Sequence, residues 1–438
     1  MKAALLRAFL ASSVVAAAVF LQVGPAAAAA PARVLAVSFD NKEVNPVTAR
    51  YVTREIDRAN DDHYAAVVLV LDTPGGLSES MRTIYKKELA SKVPVVVYVS
   101  PDGSRAASAG VWISQAADVL AMAPQTNIGS STPIDVSGAN IQSDLRRKVI
   151  NDAAASLQAL AKSHHRNVQW AADAVRVASN LPAYEALQRN VIDVVAPTLP
   201  ALLKKIDGYK TVPKGLVLHT AGAQITTVHM SLWQRILYTL IDPNLIALFL
   251  SLGVLGIVIE LWHPGLIFPA TFGVLSLAIA FYGLDVLPIS WAGLLLMLAA
   301  FAFWITELFI AFSHGALTVA GAVCFVFGSL LLFEPAGSSF QVSLPVALSI
   351  AGAFSLFFAF ALAKVVQIRR RPAAVGTQTI LGARGEVRRD GLVAVRGELW
   401  QARAEDGGEL ALGDEVEVLG VDGLSLIVRR AGRPLVHT

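Results

Sequence analysis

The chain has a single cysteine, Cys324, in 438 residues, so no internal disulfide staples it in any compartment. It is also short of charge. Asp, Glu, Lys and Arg make up 16% of residues, against about 25% in an ordinary soluble domain. The deficit is uneven: from Ile236 to Ala363 there is no lysine or arginine at all. That gap excludes a soluble fold over this stretch. A formal net charge of +3 likewise excludes a chain built to coat nucleic acid. Stability must come from packing, and in this block the surrounding medium is a bilayer.

Apolar sequence stands where charge is missing: 55% of residues are hydrophobic and the mean hydropathy is +0.56. Lys2 and Arg7 precede an apolar stretch from Ala8 to Val23, then Gly24, Pro25 and an alanine run. A basic start, a short apolar core and a small-residue exit form a secretory signal over residues 1–30, and the segment after it is exported. Breakers divide the cation-free block into candidate spans at about 245–261, 266–287, 290–312, 316–333 and 344–366, each near the roughly 20 apolar residues needed to cross. The count is five, with four as the alternative because the junction at Pro288 is tight. Arg369, Arg370 and Arg371 follow the last span, and such a cluster favours the cytoplasmic side. An exported front and a cytoplasmic tail require an odd number of crossings, which five supplies. The acids of the block fall near span ends, and Glu307 is the one least easily placed there.

The chain therefore divides into an exported domain at 31–230, a membrane block at 236–366 and a tail domain at 375–431. In the exported domain, apolar runs at 34–39, 65–71 and 93–98 alternate with helical stretches, the pattern of an α/β layer fold. The stretch from Asp144 to Ser163 has no Gly or Pro and reads as one long helix. Short β runs punctuated by glycines in the tail predict a small all-β barrel.

Two turns in the exported domain carry candidate chemistry. Asp72-Thr-Pro-Gly-Gly76 follows an apolar strand and precedes a helix; its glycines permit a sharp turn and leave amides bare at a helix start, where an oxyanion is stabilised. Taken alone, the same pentapeptide fits an ordinary strand-to-helix turn. After the next strand comes Gly103-Ser-Arg-Ala-Ala-Ser-Ala-Gly110, where small neighbours leave the Ser108 hydroxyl open to a substrate carbonyl. Close packing or capping accounts for that serine equally well. A nucleophilic serine needs a base, and no histidine stands in a triad setting. Lys148, early in the long helix beside Leu145, Val149 and Ile150, becomes a base if burial depresses its pKa; most helical lysines are solvated.

The series LDTPGGL, VPVVVYVSPDGSRAASAGVWI, AMAPQTNIGSSTPI and RRKVINDAAASLQAL resembles the NfeD family of membrane-bound ClpP-class serine proteases, whose archaeal members are linked to stomatin. The likeness continues through AYEALQRNVIDVVAPTLPALLKKIDG, the multi-span block and the tail. The resemblance implies a ClpP/crotonase-type α/β exported domain, a helical membrane block and a C-terminal OB-fold barrel. It implies a Ser–Lys dyad, with Ser108 as nucleophile and Lys148 as base. By analogy with ClpP, the backbone amides of Gly76 and Ala109 form the oxyanion hole and Gly75 lies along the substrate. The implied substrate is an apolar segment of a stomatin-like partner in the cell (inner) membrane, and the implied assembly is a homo-oligomer. Two departures stand out: Ser104 replaces a smaller residue, and Asn180-Leu-Pro-Ala-Tyr184 replaces a SLTAEE-like run. Neither touches the dyad.

Trp233, Arg235 and Tyr238 precede the first span and suit the headgroup level. The tail from residue 372 onward holds eight arginines, no lysine, ten carboxylates and Trp400 as its one aromatic. OB-folds that bind nucleic acid use a basic groove and stacking aromatics, so this composition predicts a protein-docking module and no nucleic-acid partner. No cluster has metal-ligand spacing and no phosphate loop appears, so neither a metal nor a nucleotide cofactor is expected. The competing reading is a non-catalytic scaffold that organises stomatin-like proteins.

Overall fold

The computed structural model describes residues 32–133, 143–310, 315–333, 340–369 and 380–431; the expected signal segment at 1–30 lies outside them. The N-terminal domain contributes β1 (Arg33–Phe39), β2 (Ala66–Leu71), β3 (Val95–Val99), β4 (Arg105–Ala107), β5 (Val119–Met122), β6 (Asn127–Gly129), β7 (Asn180–Pro182), β8 (Val194–Val195) and β9 (Gln224–Val228). Six of these pair in the order β8-β5-β3-β2-β1-β9, every neighbour parallel. A parallel sheet is covered on both faces, which is why its strands are almost continuously apolar.

The covering helices are α1 (Pro46–Asp61), α2 (Ser78–Ala90), α3 (Ala109–Ala116), α4 (Ser143–Ser163), α5 (Val168–Arg176), α6 (Ala183–Gln188) and α7 (Leu199–Lys205). Strand residues alternate between faces. Leu35, Val37, Leu69 and Val97 enter the larger core with Tyr51, Ile84, Trp112 and Leu157. Val34, Val68, Val96 and Tyr98 meet Leu202 and Leu203 of α7 on the other side. A second sheet, β4-β6-β7, lies along the chain leading to Ser108. Helix α1 starts on a capping box, with Asn45 accepting from the amides of Val47 and Thr48 and Pro46 in the first turn, where its missing N–H is harmless.

Arg166 is buried and reaches the far end of α3, donating to the carbonyls of Gln115 (3.0 Å) and Ala117 (2.8 Å) and pairing with Asp193 at 2.7 Å. The carbonyls that end a helix have no intrahelical partner, so this guanidinium anchors the helix whose other end begins at Ser108.

Helix α8 (Leu232–Leu240) is capped by a Ser231/Gln234 box and exposes Leu232 and Trp233. The apolar helices follow: α9 (Pro243–Trp262), α10 (Ile267–Val286), α11 (Trp291–Phe309), α12 (Ala316–Leu332) and α13 (Leu344–Arg369). All five expected spans appear as helices, and among the described residues four are long and apolar enough to cross a membrane by length and composition. Helix α12 is shorter, with 17 residues. Small residues permit the helices to approach closely: a Cβ on Gly273 would stand 3.1 Å from Gly256 Cα, and one on Gly321 would strike the Trp304 indole at 2.6 Å. Glu307 is buried and accepts from the amide of Gly315 at 2.9 Å.

The tail strands β10 (Arg384–Arg389), β11 (Leu392–Val395), β12 (Glu398–Ala404), β13 (Glu415–Asp422) and β14 (Ser425–Arg430) close a barrel in the order β10-β11-β12-β14-β13. Val387, Val393, Val395, Val416, Val418, Leu426 and Val428 fill it. The α/β domain, helical membrane block and all-β barrel expected from the chain are thus all present.

Candidate active site

From β2 the chain turns through Asp72 to Leu77 into α2. Hydrogen bonds lace that turn to β4: Thr73 N donates to Arg105 O (2.8 Å), Ala107 N to Thr73 O (3.1 Å) and Arg105 N to Asp72 Oδ1 (3.0 Å). Gly75 has φ +123° and Gly76 φ +151°, conformations other residues rarely adopt. Space forbids a side chain as well. A Cβ on Gly75 would stand 2.6 Å from Ser108 Cβ, and one on Gly76 would stand 2.1 Å from Val44 O.

Ser108 joins β4 to α3 with φ +51° and ψ −116°. A non-glycine residue there carries strain of order 1–3 kcal/mol, and surrounding bonds hold it: Ser108 N donates to Gly129 O (3.2 Å), and Ser131 Oγ donates to Ser108 O (3.3 Å). A sharp, strained strand-to-helix turn is how a nucleophilic serine is presented clear of its own backbone. Gly76 and Ala109 line the same cleft as Ser108, and among the described residues neither amide donates to a protein acceptor. Two unspent N–H groups beside a serine hydroxyl are the components of an oxyanion hole.

The cleft holds about 160 Å³ and is lined by Met81 and Tyr85 of α2, Trp112 of α3, and Val149, Asp152, Ala153 and Ser156 of α4. It has room for a substrate side chain rather than a drug-sized ligand, for which roughly 300–1,000 Å³ is usual. The fold brings Ser108, Gly75, Gly76 and Ala109 together. Lys148 is not: its side chain is exposed and does not line the cleft. The reason lies in α4. Ala154, Leu157 and Ala161 are buried in the domain core, which fixes the helix rotation and turns Val149 and Asp152 toward Ser108, leaving Lys148 just beside that stripe. The burial expected for Lys148 is therefore absent.

Among the described residues no histidine lines the cleft. His164 is buried elsewhere, its pKa pushed down to about 4 by burial and by the charge of Arg166. Reading the chain alone missed the cleft walls. Met81 and Tyr85 stand one helical turn apart directly after the double glycine, and Trp112 stands four residues after Ser108; that spacing was the available signal. Among the described residues, no group of three His, Cys, Asp or Glu side chains is placed to hold a metal ion.

A serine on a strained turn, two free amides and a cleft walled in part by Met81, Tyr85 and Trp112, joined to apolar helices and a barrel, define a membrane-anchored protein of the serine-hydrolase class. Residues 34–198 match the N-terminal domain of NfeD1b, residues 244–364 the NfeD integral membrane domain, and residues 377–430 the NfeD-like C-terminal, partner-binding domain. The chain is 33% identical over 406 residues to the membrane-bound protease PH1510 of Pyrococcus horikoshii, covering 89% of this chain and 91% of that one. It is 28% identical over 344 residues to the membrane protein NfeD1b of Bacillus subtilis, with 75% and 73% covered. A solved membrane protease specific for a stomatin homolog from Pyrococcus horikoshii is 30% identical, with a TM-score of 0.41, and covers 47% of this chain and 98% of its own. The chain belongs to the NfeD family.

Proposed function

We propose that this multi-pass membrane protein is a serine endopeptidase that hydrolyses peptide bonds in apolar segments of a stomatin-like partner. What carries the reading is the meeting of Ser108, on its strained turn, with the free amides of Gly76 and Ala109 at one cleft. In this reading the Ser108 hydroxyl attacks the scissile carbonyl and the two amides take the charge that develops on its oxygen. Lys148 takes the serine proton and returns it to the leaving amine, and water then resolves the acyl-enzyme. Gly75 lies against the peptide, where a side chain would displace it. Met81, Tyr85 and Trp112 receive an apolar side chain.

Lys148 must swing its four-carbon stem from solvent across the neighbouring Val149 into the cleft. The tail barrel docks the partner, and the enzyme works as an oligomer. Residues 1–30 direct the domain at 31–230 outward. Helix α12, at 17 residues, is roughly 25 Å long and sits at the lower limit of a span. With it the block at 236–366 crosses five times and leaves the domain at 375–431 in the cytoplasm.

The test is cleavage of an apolar fluorogenic peptide by the full-length protein in bilayer nanodiscs, beside Ser108→Ala and Lys148→Ala. The reading expects Ser108→Ala to be inactive and Lys148→Ala to lose at least about 100-fold, in line with loss of a general base. Equal cleavage by all three would refute it. The exposure of Lys148 favours a second reading, a non-catalytic scaffold, for which no cleavage by any of the three is the expected result.

A further inference from the structure

A chain of contacts leads away from the cleft toward the membrane. The Gly75-Gly76 turn hangs on Lys42-Glu43-Val44, the segment after β1. Val44 N donates to Gly75 O (2.7 Å), Leu77 N to Val44 O (2.7 Å), Thr73 Oγ1 to Lys42 O (2.7 Å) and Lys42 N to Asp72 O (3.3 Å). Because a Cβ on Gly76 would collide with Val44 O, the backbone of Val44 sets the position of the Gly76 amide.

The same segment is held from its other side by Tyr238 on α8, far along the chain. Glu43 N donates to Tyr238 Oη at 3.2 Å, and Lys42 Nζ lies 5.2 Å from the centre of the Tyr238 ring, within cation–π range. Leu237 and Tyr238 pack half-buried against the domain core, while Leu232 and Trp233 point to the exterior. Two residues after α8, Asp242 caps α9, the first apolar helix, accepting from the amide of Asn244 at 2.8 Å. The helix that seats the domain at the bilayer and the turn that supplies an oxyanion donor are thus separated by three residues.

We propose that Tyr238 is a positioning residue for peptide hydrolysis: from the membrane-proximal helix it holds Glu43 and, through Val44, the Gly76 amide at the place where the oxyanion forms. It touches no substrate. The inference rests on the serine-protease reading above. An oxyanion donor acts only when it stands 2.7–3.1 Å from the developing charge, and a misplacement of about 1 Å costs on the order of 100-fold in rate. Displacing α8 from the domain is then enough to slow the enzyme without altering any group in the cleft.

The experiment uses the full chain in nanodiscs with an apolar fluorogenic peptide, comparing Tyr238→Phe, Tyr238→Ala and Ser108→Ala, with kcat and KM measured separately. Removing an oxyanion donor outright costs about 100-fold or more; loosening one predicts a kcat loss of roughly tenfold for Tyr238→Ala with KM within about twofold. Tyr238→Phe keeps the ring beside Lys42 and loses only the hydroxyl, so its kcat falls between. A wild-type kcat in the Phe and Ala variants overturns the positioning role, as does a loss confined to KM. Should Tyr238→Ala fail to fold, Tyr238→Phe alone decides between these results. If Ser108→Ala cleaves as fast as wild type, the protease reading itself fails; if cleavage depends on Ser108 and ignores Tyr238, only the positioning role is lost.

Discussion

Gly75→Ala tests whether the turn after β2 stands beside the reacting carbonyl. The added methyl group would lie 2.6 Å from Ser108 Cβ and 3.1 Å from its Oγ. Non-bonded carbons settle at roughly 3.5–4.0 Å, so the two must part by about 1 Å. Ser108 is held through Gly129 O and Ser131 Oγ, so the clash is resolved by moving the nucleophile relative to the Gly76 amide, and misalignment of that size costs on the order of 100-fold in turnover. The alanine also occupies φ +123°, a backbone penalty of about 1–3 kcal/mol. Gly103→Ala separates the two effects: Gly103 has φ +90°, and a methyl group added there would meet nothing within 4 Å, so it carries a backbone penalty alone. Peptide hydrolysis and thermal melting of the full-length protein in nanodiscs read both. The expectation is a similar loss of stability in the two variants and a loss of kcat of about 100-fold in Gly75→Ala alone. A Gly75→Ala enzyme with wild-type turnover, or a Gly103→Ala enzyme equally slow, refutes the assigned geometry.

Burial, together with the charge of Asp242, raises the Glu43 carboxyl to about 7. A folded pKa above the unfolded one means that its stabilising contribution is complete below the ordinary carboxylate range and is lost as pH rises through 7. Melting temperatures of Glu43→Gln should therefore fall less than wild type between pH 5 and 8, a difference of roughly 1–2 kcal/mol once solvent screening of a half-exposed group is allowed for; parallel curves would contradict this. Glu88 is fully buried with both carboxylate oxygens unpartnered among the described residues, and burial, opposed by Lys214 and reinforced by Asp118, holds its pKa well above the usual range. By the same sign, Glu88→Gln should match wild type at acid pH and melt higher at pH 9, and an advantage confined to acid pH would count against it. Arg166→Ala strands Asp193 and the carbonyls at the end of α3, and removing one partner of a buried pair costs about 3–5 kcal/mol. Denaturant unfolding that changes by less than about 1 kcal/mol would show that the pair bears little of the load.

The sheet was legible because a parallel strand buried on both faces leaves an unbroken apolar run: those at 34–39, 65–71 and 93–98 overlap β1, β2 and β3. The two turns of the candidate site were legible because their chemistry is local, and a double glycine or a serine among alanines is visible within a few residues. Lys148 was not. Which residues of a long helix face a cleft depends on its rotation, which Ala154, Leu157 and Ala161 set by packing against strands far away in the chain. The small sheet β4-β6-β7 escaped notice for a related reason, since three-residue strands carry too little pattern to distinguish from loop. Glu43 and Tyr238 meet only after the domain has folded onto α8, and no local signal links residues so far apart. Apolar runs and breakers located all five apolar helices, but not that α12, at 17 residues, falls short of the length that marks the other four as able to cross.

The barrel of the tail is a complete ring: β10 pairs with both β11 and β13, and β14 bridges β12 to β13. A ring has no outermost strand, so its backbone presents no vacant ladder onto which a partner could lay a strand of its own. A protein that docks there must be gripped by side chains and loop tips. Leu399, Leu412 and Leu424, each more than half exposed, are the apolar handles available for that grip.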